Sequence, residues 1–183
     1  MEGPVSMFKD FKVDLNELEA YIKNSLAGIS AEVTVASAEG VKCLSIITSN
    51  TLLFDFRITN TTAEVYLNLS IKGYEGIAGL LDRIGLGLAF DLIKELQEGF
   101  GSLPKSLIIS KTIPSDSIYL LLEPTDSFPP VKGVLRGGEI SVIMSSCTAV
   151  NDNIECTNKS YLPIINAVLR TLRRLKNLKA SSQ

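Results

Sequence analysis

Acidic side chains on one predicted helix have the spacing best suited to acid–base or cation chemistry. Asp91, Glu95 and Glu98 follow one another at i, i+4 and i+7, which places their carboxylates on one helix face. Such carboxylates could bind a hard cation or exchange protons with a substrate. No D-x-D-x-D loop accompanies them, so a solvated helix face is the favoured interpretation. The chain contains no histidine, which excludes Ser-His-Asp and Cys-His sites.

Two further patterns look like catalytic or cofactor motifs but lack the required context. Residues 102–105 match S-x-x-K, yet the proline within them and the strand-like residues that follow do not provide the helix N-terminus that a serine acyl-enzyme needs. Gly85 and Gly87 miss the dinucleotide-binding pattern and lie inside a predicted helix instead of at its start. The sequence therefore predicts no catalytic residue, no cofactor and no metal ligand.

Two of the three cysteines can be paired by counting outward from a turn. If Asn-Asp at 151–152 forms a two-residue hairpin turn, Cys147 lies opposite Cys156 at a non-hydrogen-bonded position, where Cα atoms approach to about 4.5 Å. That distance lies at the short edge of disulfide geometry. The alternative is an unbridged strand pair or an unpaired loop. A bridge would suit an oxidising compartment or a hyperthermophile cytoplasm. Cys43, in a predicted central strand, is expected to be a buried free thiol.

Basic residues are concentrated at the C-terminal end of the chain. From Lys159 onward there are six basic residues and no acidic one, which leaves 12 of the 18 basic residues and all 20 acidic ones in the rest of the chain. Arg170, Arg173 and Arg174 lie on the polar face of the predicted last helix. Either a structural helix, whose basic end offsets the helix dipole, or a partner-binding face gives this pattern.

A protein, an anionic membrane surface and nucleic acid are the candidate partners of that basic face. Nucleic acid is disfavoured, because the net charge is only −2 and no aromatic residues are interleaved with the basic ones. The three arginines are therefore assigned first to binding a protein partner, with contact to a membrane surface as the alternative.

The spacing of apolar residues predicts an α+β protein with antiparallel sheet. Asp14 has the N-cap signature of a first helix, and short alternating segments between residues 31 and 69 predict four strands. Apolar residues at helical spacing predict a central helix over 74–98 and a last helix over 161–178. The glycines of the central helix favour either close packing on a sheet or partner or a break near 85–87. The predicted order is helix, four strands, helix, four to five strands, helix.

A single α+β domain over residues 13–179 accounts for these elements, with a flexible arm at 1–12 and a tail at 180–183. A chain of 183 residues can bury about 70% of its unfolded surface, so it needs no metal or disulfide to fold. The strand–helix blocks at 31–98 and 106–178 are similar in length, which allows two similar halves. No residue-level repeat supports a duplication.

Lack of catalytic motifs, uneven charge and a glycine-containing central helix favour a non-enzymatic protein-interaction or assembly module that forms a homo-oligomer. The alternative is a carrier that binds a small apolar ligand between the sheet and the central helix. A histidine-free enzyme that uses carboxylates and lysine is a third class. The sequence shows no secretory leader and no apolar stretch long enough to span a membrane, so the cytoplasm is the expected compartment.

Overall fold

A computed structural model describes residues 14–26, 31–71, 74–112 and 117–181, so the predicted arm at 1–12 lies outside the described residues. The helices are α1 (Leu15–Ser25), α2 (Ala78–Arg83), α3 (Gly87–Gly99) and α4 (Leu162–Ser181). The strands are β1 (Ala31–Ala38), β2 (Val41–Thr48), β3 (Thr51–Thr59), β4 (Thr62–Asn68), β5 (Ser106–Thr112), β6 (Ile118–Glu123), β7 (Val131–Arg136), β8 (Glu139–Met144), β9 (Cys147–Val150) and β10 (Asn153–Cys156). Among the described residues, no helix is both long and apolar enough to cross a membrane.

The first helix begins where the sequence places it. One carboxylate oxygen of Asp14 accepts hydrogen bonds from the backbone N–H groups of Asn16 at 3.0 Å and Glu17 at 3.3 Å. These bonds satisfy two of the N–H groups that the first turn of a helix leaves without an intrahelical partner. Asp14 is therefore the N-cap of α1, as predicted.

All ten strands form one antiparallel sheet, in which each strand pairs with its neighbours in chain order. β4 pairs with β5 across the helical segment that separates them in sequence, with Val65 opposite Ile109. The α+β class and the alternation of strand blocks with helices are confirmed. The second block has six strands where four to five were predicted, because β8 ends at Met144 and the chain then forms β9 and β10 as an additional hairpin.

A central helix was predicted over 74–98, but this segment is not one continuous helix. It consists of a 3-10 turn at Tyr74–Ile77, then α2, then α3. Gly85 has a φ of +81°, in the left-handed region that glycine enters without a steric penalty. Gly85 follows the end of α2 and lets the chain start α3 in a new direction, so the break near 85–87, one of the two alternatives that the sequence left open, is present. The last helix extends to Ser181 and so includes the first residues of the predicted tail.

The helices cover one face of the sheet, which we call the closed face. α1 contacts β1 and β2, whereas α4 contacts β7, β8 and β9. Alternate strand residues point to this face and join the apolar side chains of all four helices in one continuous core. The largest fully buried strand side chains in this core include Phe54, Phe56, Leu44, Ile46 and Leu67.

The opposite face, which we call the open face, carries no helix in the described part of the chain. One cross-strand row on it runs through Tyr66, Ile108, Leu121, Lys132 and Ile143, on β4 to β8. Leu121 is 39% exposed and Ile143 60% exposed. Within the described residues, helices thus cover one side of the sheet, and Leu121 and Ile143 on the open face are accessible to other molecules.

Candidate interaction surface

The arginines of α4 lie beside carboxylates of the same chain. Arg170 donates hydrogen bonds to Glu95, and Arg174 lies 3.6 Å from the carboxylate of Asp91. Both carboxylates belong to α3, so the acidic face predicted on the central helix and the basic face predicted on the last helix meet. Arg173 reaches the turn between β9 and β10, where it donates to Asp152 at 3.0 Å. Partner binding by these three arginines stays a prediction, but it would compete with existing ion pairs.

Replacing all three arginines by glutamine (Arg170→Gln, Arg173→Gln, Arg174→Gln) should cost little stability. The arginine side chains are 43–57% exposed, and exposed ion pairs contribute about 0–1 kcal/mol each because water and salt screen them. We expect the free energy of unfolding to fall by about 1–2 kcal/mol in low salt, and by less in 0.5 M NaCl. Urea unfolding at both salt concentrations measures this. Lys176→Gln, on the same helix, is the control, and a loss unaffected by salt would contradict the ion-pair interpretation.

The hairpin of β9 and β10 has the predicted register. Val150 lies opposite Asn153, and Cys147 lies opposite Cys156. The two cysteines have their Cα atoms 4.1 Å apart and their sulfur atoms at bonding distance, 2.11 Å. Asn151 adopts the left-handed conformation at φ +54°, which its short polar side chain tolerates. The predicted bridge and the geometry of the chain therefore agree.

Cys43 is a free thiol, but it is half-buried instead of fully buried. It lies on the open face, where its sulfur donates to Asp55 at 3.3 Å and the Ser45 hydroxyl donates to the same carboxylate oxygen at 2.8 Å. Arg57 lies 3.6 Å from the second oxygen of Asp55. Because the thiol and the hydroxyl of β2 both donate to the carboxylate of β3, the cluster holds β2 to β3.

Sequence reasoning missed this cluster, because a register shift between Ile46 and Ile47 changes the β2–β3 pairing that counting outward from the turn at 49–50 would give. The available signal was the alternation of polar side chains along β2 and β3, which places Cys43, Ser45, Asp55 and Arg57 on the face opposite the core. Among the described residues, no group of three or more histidine, cysteine or acidic side chains could hold a metal ion.

Five apolar side chains form a zigzag line across two adjacent cross-strand rows of the open face, which we call the apolar stripe. It consists of Ile108, Leu121, Val134, Ile143 and Val150, one each from β5 to β9. Ile108 lies directly opposite Leu121, and each later member is a diagonal neighbour of the one before, within reach of a long side chain. With strands about 4.8 Å apart, the stripe is about 19 Å long.

Polar groups surround the stripe. Lys132 lies between Leu121 and Ile143, is exposed, and has no ion-pair partner among the described residues. Arg136 donates a hydrogen bond to the Tyr119 hydroxyl, and its guanidinium lies 5.5 Å from the centre of that ring. Lys132 therefore offers an ammonium group within the stripe to another molecule.

Tyr66 offers a neutral hydroxyl at the β4 end of the same cross-strand row. Burial, and in second place the negative charge of Glu123, raise the pKa of its phenol above the ordinary value of 10.0. The phenol therefore stays protonated at neutral pH and can donate a hydrogen bond. The open face from β4 to β9 thus combines an apolar stripe with the neutral hydroxyl of Tyr66 and the ammonium group of Lys132.

Two concavities were compared with the predicted site for an apolar ligand. A surface pocket of about 320 Å³ lies at one end of the β1–β2 and β3–β4 hairpins, away from α3, and is lined by Ala38, Gly40, Val41, Lys42, Ile58, Thr59 and Asn60. A groove between α1 and α2, beside Ile22 and Leu80, is too narrow for a water molecule. Neither concavity lies between the sheet and α3.

Comparison with known proteins finds no relative of this chain. The chain matches no protein-family model, and neither a search of curated proteins nor a search of solved structures finds a similar protein.

Proposed function

We propose that this protein is a non-enzymatic interaction module that binds a partner protein through the apolar stripe on its open face. The observation that carries the proposal is the exposure of Leu121, Ile143 and Val150, which are 39%, 60% and 49% exposed and lie on β6, β8 and β9 of the same face. Single exposed apolar residues are ordinary on protein surfaces, but a contiguous group rimmed by polar residues is typical of an interaction site.

The charge beside the stripe indicates the chemistry of the partner. Lys132 would become buried between Leu121 and Ile143 in a complex, and an unpaired buried ammonium group is costly. A suitable partner therefore presents an apolar strip with a carboxylate positioned for Lys132. Such a central pair inside a ring of apolar contacts is the usual arrangement of an interface hot spot.

The rigid scaffold beneath the stripe supports the same proposal. Each stripe residue has strand neighbours on both sides, and the strands themselves are held by the core on the closed face. A partner that docks here does not have to order the surface first, which lowers the entropic cost of binding. The alternative of an apolar-ligand carrier has no such observation in its favour among the described residues.

The proposal is tested with a photo-crosslinking residue at position 143 of the protein, expressed in the cells that produce it naturally. The same residue at position 176 on α4 is the control. We expect a discrete protein adduct from position 143 and none from position 176. The adduct partner, once purified, should bind the wild-type chain, and Ile143→Ser or Lys132→Gln should weaken that binding at least tenfold.

Matched substitutions elsewhere separate a local effect from a general one. Val41→Ser alters an apolar strand residue that is 38% exposed and lies outside the stripe, and Lys94→Gln alters an exposed lysine on α3. Both variants should bind like the wild type. An absence of any preferential adduct at position 143, or equal weakening by Val41→Ser and Ile143→Ser, would contradict the proposal.

A further inference from the structure

The two edges of the sheet differ in how well they are protected. β1 is an eight-residue edge strand that pairs with β2 over eight consecutive residues without a bulge. No strand pairs with its other side in the described part of the chain. An edge of this kind presents a row of backbone N–H and C=O groups to which another strand can pair.

β1 lacks the features by which proteins block pairing at an edge. Its sequence, AEVTVASA, contains no proline and no lysine, and Glu32 is its single charged residue. Bulges, prolines and lysines are the common protective devices at such edges, and the bulge of this region lies one strand further in, between β2 and β3.

The strand at the opposite edge, β10, is short and is covalently linked to its neighbour. β10 has four residues, one of them Glu155, and is joined to β9 by the Cys147–Cys156 pair. The turn of this hairpin is held to β8, where the Asn151 side chain accepts a hydrogen bond from the Ile140 N–H at 3.0 Å. Little backbone is therefore available for pairing at β10, in contrast to β1.

The hydrophobic core also extends to the β1 edge, where its side chains are incompletely buried. Ala31, Val33 and Val35 point to the closed face, pack against the core, and are only partly buried. A further strand with apolar residues at the same spacing would cover them. The structure thus has both unpaired backbone groups and incompletely buried side chains at the same edge.

We propose that β1 pairs antiparallel with β1 of a second copy of this chain, around a twofold axis at Thr34. In an antiparallel pair, residues opposite each other lie on the same face of the sheet, so each Val33 would face Val35 of the other copy on the closed face. Glu32 would face Ala36, and no like charges would be opposed. A twofold axis at residue 33 would place Val33 opposite itself, and an axis at residue 35 would place Val33 opposite Ser37. Each of these two registers gives one directly opposed valine pair instead of two.

The resulting dimer has one continuous sheet across both copies, and the apolar stripe of each copy stays uncovered. The proposal concerns the edge and not the open face, so it does not rest on the proposed partner-binding function. Loss of dimerisation and loss of partner binding are measured on different residues and can be told apart.

Sedimentation equilibrium of the wild-type chain between 1 and 100 µM tests the association. We expect a mass twice that of the 19.8 kDa chain at the upper concentrations. Thr34→Glu places two carboxylates opposite each other at the centre of the interface, and should raise the dimer dissociation constant at least tenfold. Thr34 is exposed, so the variant should fold. Thr51→Glu, also at an exposed strand threonine but on an interior strand, is the matched control.

Cysteine cross-linking tests the register. In a Cys43→Ser background, Thr34→Cys should give a disulfide-linked dimer on mild oxidation, because the two Cα atoms lie within disulfide reach. Ser37→Cys on the same strand should not, because it would face Ala31 of the other copy. A single-chain mass at 100 µM would overturn the proposal. So would a dimer whose dissociation constant is unaffected by both Thr34→Glu and Thr51→Glu, or cross-linking through position 37 instead of position 34.

Discussion

Replacing Gly133 with alanine is expected to destabilise the protein by about 1–2 kcal/mol, and with valine by about 3 kcal/mol. Gly133 lies on the closed face of β7, where α4 crosses the sheet. A Cβ atom there would lie 2.8 Å from Cδ1 of Leu172 and 3.3 Å from Cγ1 of Val168. Both side chains are completely buried, so they have little room to turn away. The added atoms would force Leu172 into another rotamer in a filled core or shift α4 away from β7.

Urea unfolding of Gly133→Ala and Gly133→Val, followed by far-UV circular dichroism, measures the effect. Gly99→Ala is the matched control, because a Cβ atom at this helical position meets nothing closer than Pro163 Cβ at 3.9 Å. It should leave stability unchanged or raise it by up to about 1 kcal/mol, since alanine favours helix. A Gly133→Ala variant as stable as the wild type would show that α4 is not held this close to β7.

The elements of this fold could be predicted from the sequence where the pattern is local. Alternating residues such as Phe54, Phe56 and Ile58 define β3, and the carboxylate of Asp14 defines the start of α1. The β9–β10 register followed from one turn, because a hairpin fixes the pairing of all residues that flank it. Each of these inferences uses residues only a few positions apart.

The arrangement of the sheet depends on contacts that local patterns do not contain. The pairing of Val65 with Ile109 joins two strand blocks that are separated by the whole helical segment. Nothing in the sequence of either strand indicates which strand it pairs with. The same holds for Arg170 and Glu95, which lie 75 residues apart in sequence. The sequence showed an acidic face and a basic face, but not that they meet.

The open face could not be predicted for a related reason. Alternation identifies which side chains share a face of a strand, and so groups Leu121 with Tyr119 and Ile143 with Ser141. It does not tell whether helices cover one face or both. That depends on where α1, α3 and α4 pack, and their apolar faces all join one core on the closed side. The exposure of Ile143 is a consequence of this tertiary arrangement.

Removing the Cys147–Cys156 bridge with Cys147→Ala and Cys156→Ala together should lower the free energy of unfolding by roughly 2–3 kcal/mol. The bridge spans nine positions in sequence, and the expected loss comes from the larger conformational freedom of the unfolded chain once this short loop is no longer closed. The folded hairpin keeps its other attachments, which include the Arg173–Asp152 ion pair and the Asn151–Ile140 hydrogen bond. We therefore expect the variant to fold and to unfold at lower urea concentration.

A reductant supplies the matched control, because it acts on the bridge without changing the sequence. Dithiothreitol should shift the unfolding curve of the wild type towards that of the double variant, and should leave the double variant unchanged. Thiol titration in denaturant without reductant should find one reactive thiol per chain, Cys43, which is the free cysteine. Three reactive thiols would show that the bridge does not form in solution. Its 1% exposure protects Cys147 in the native state, so the titration has to be carried out on the unfolded chain.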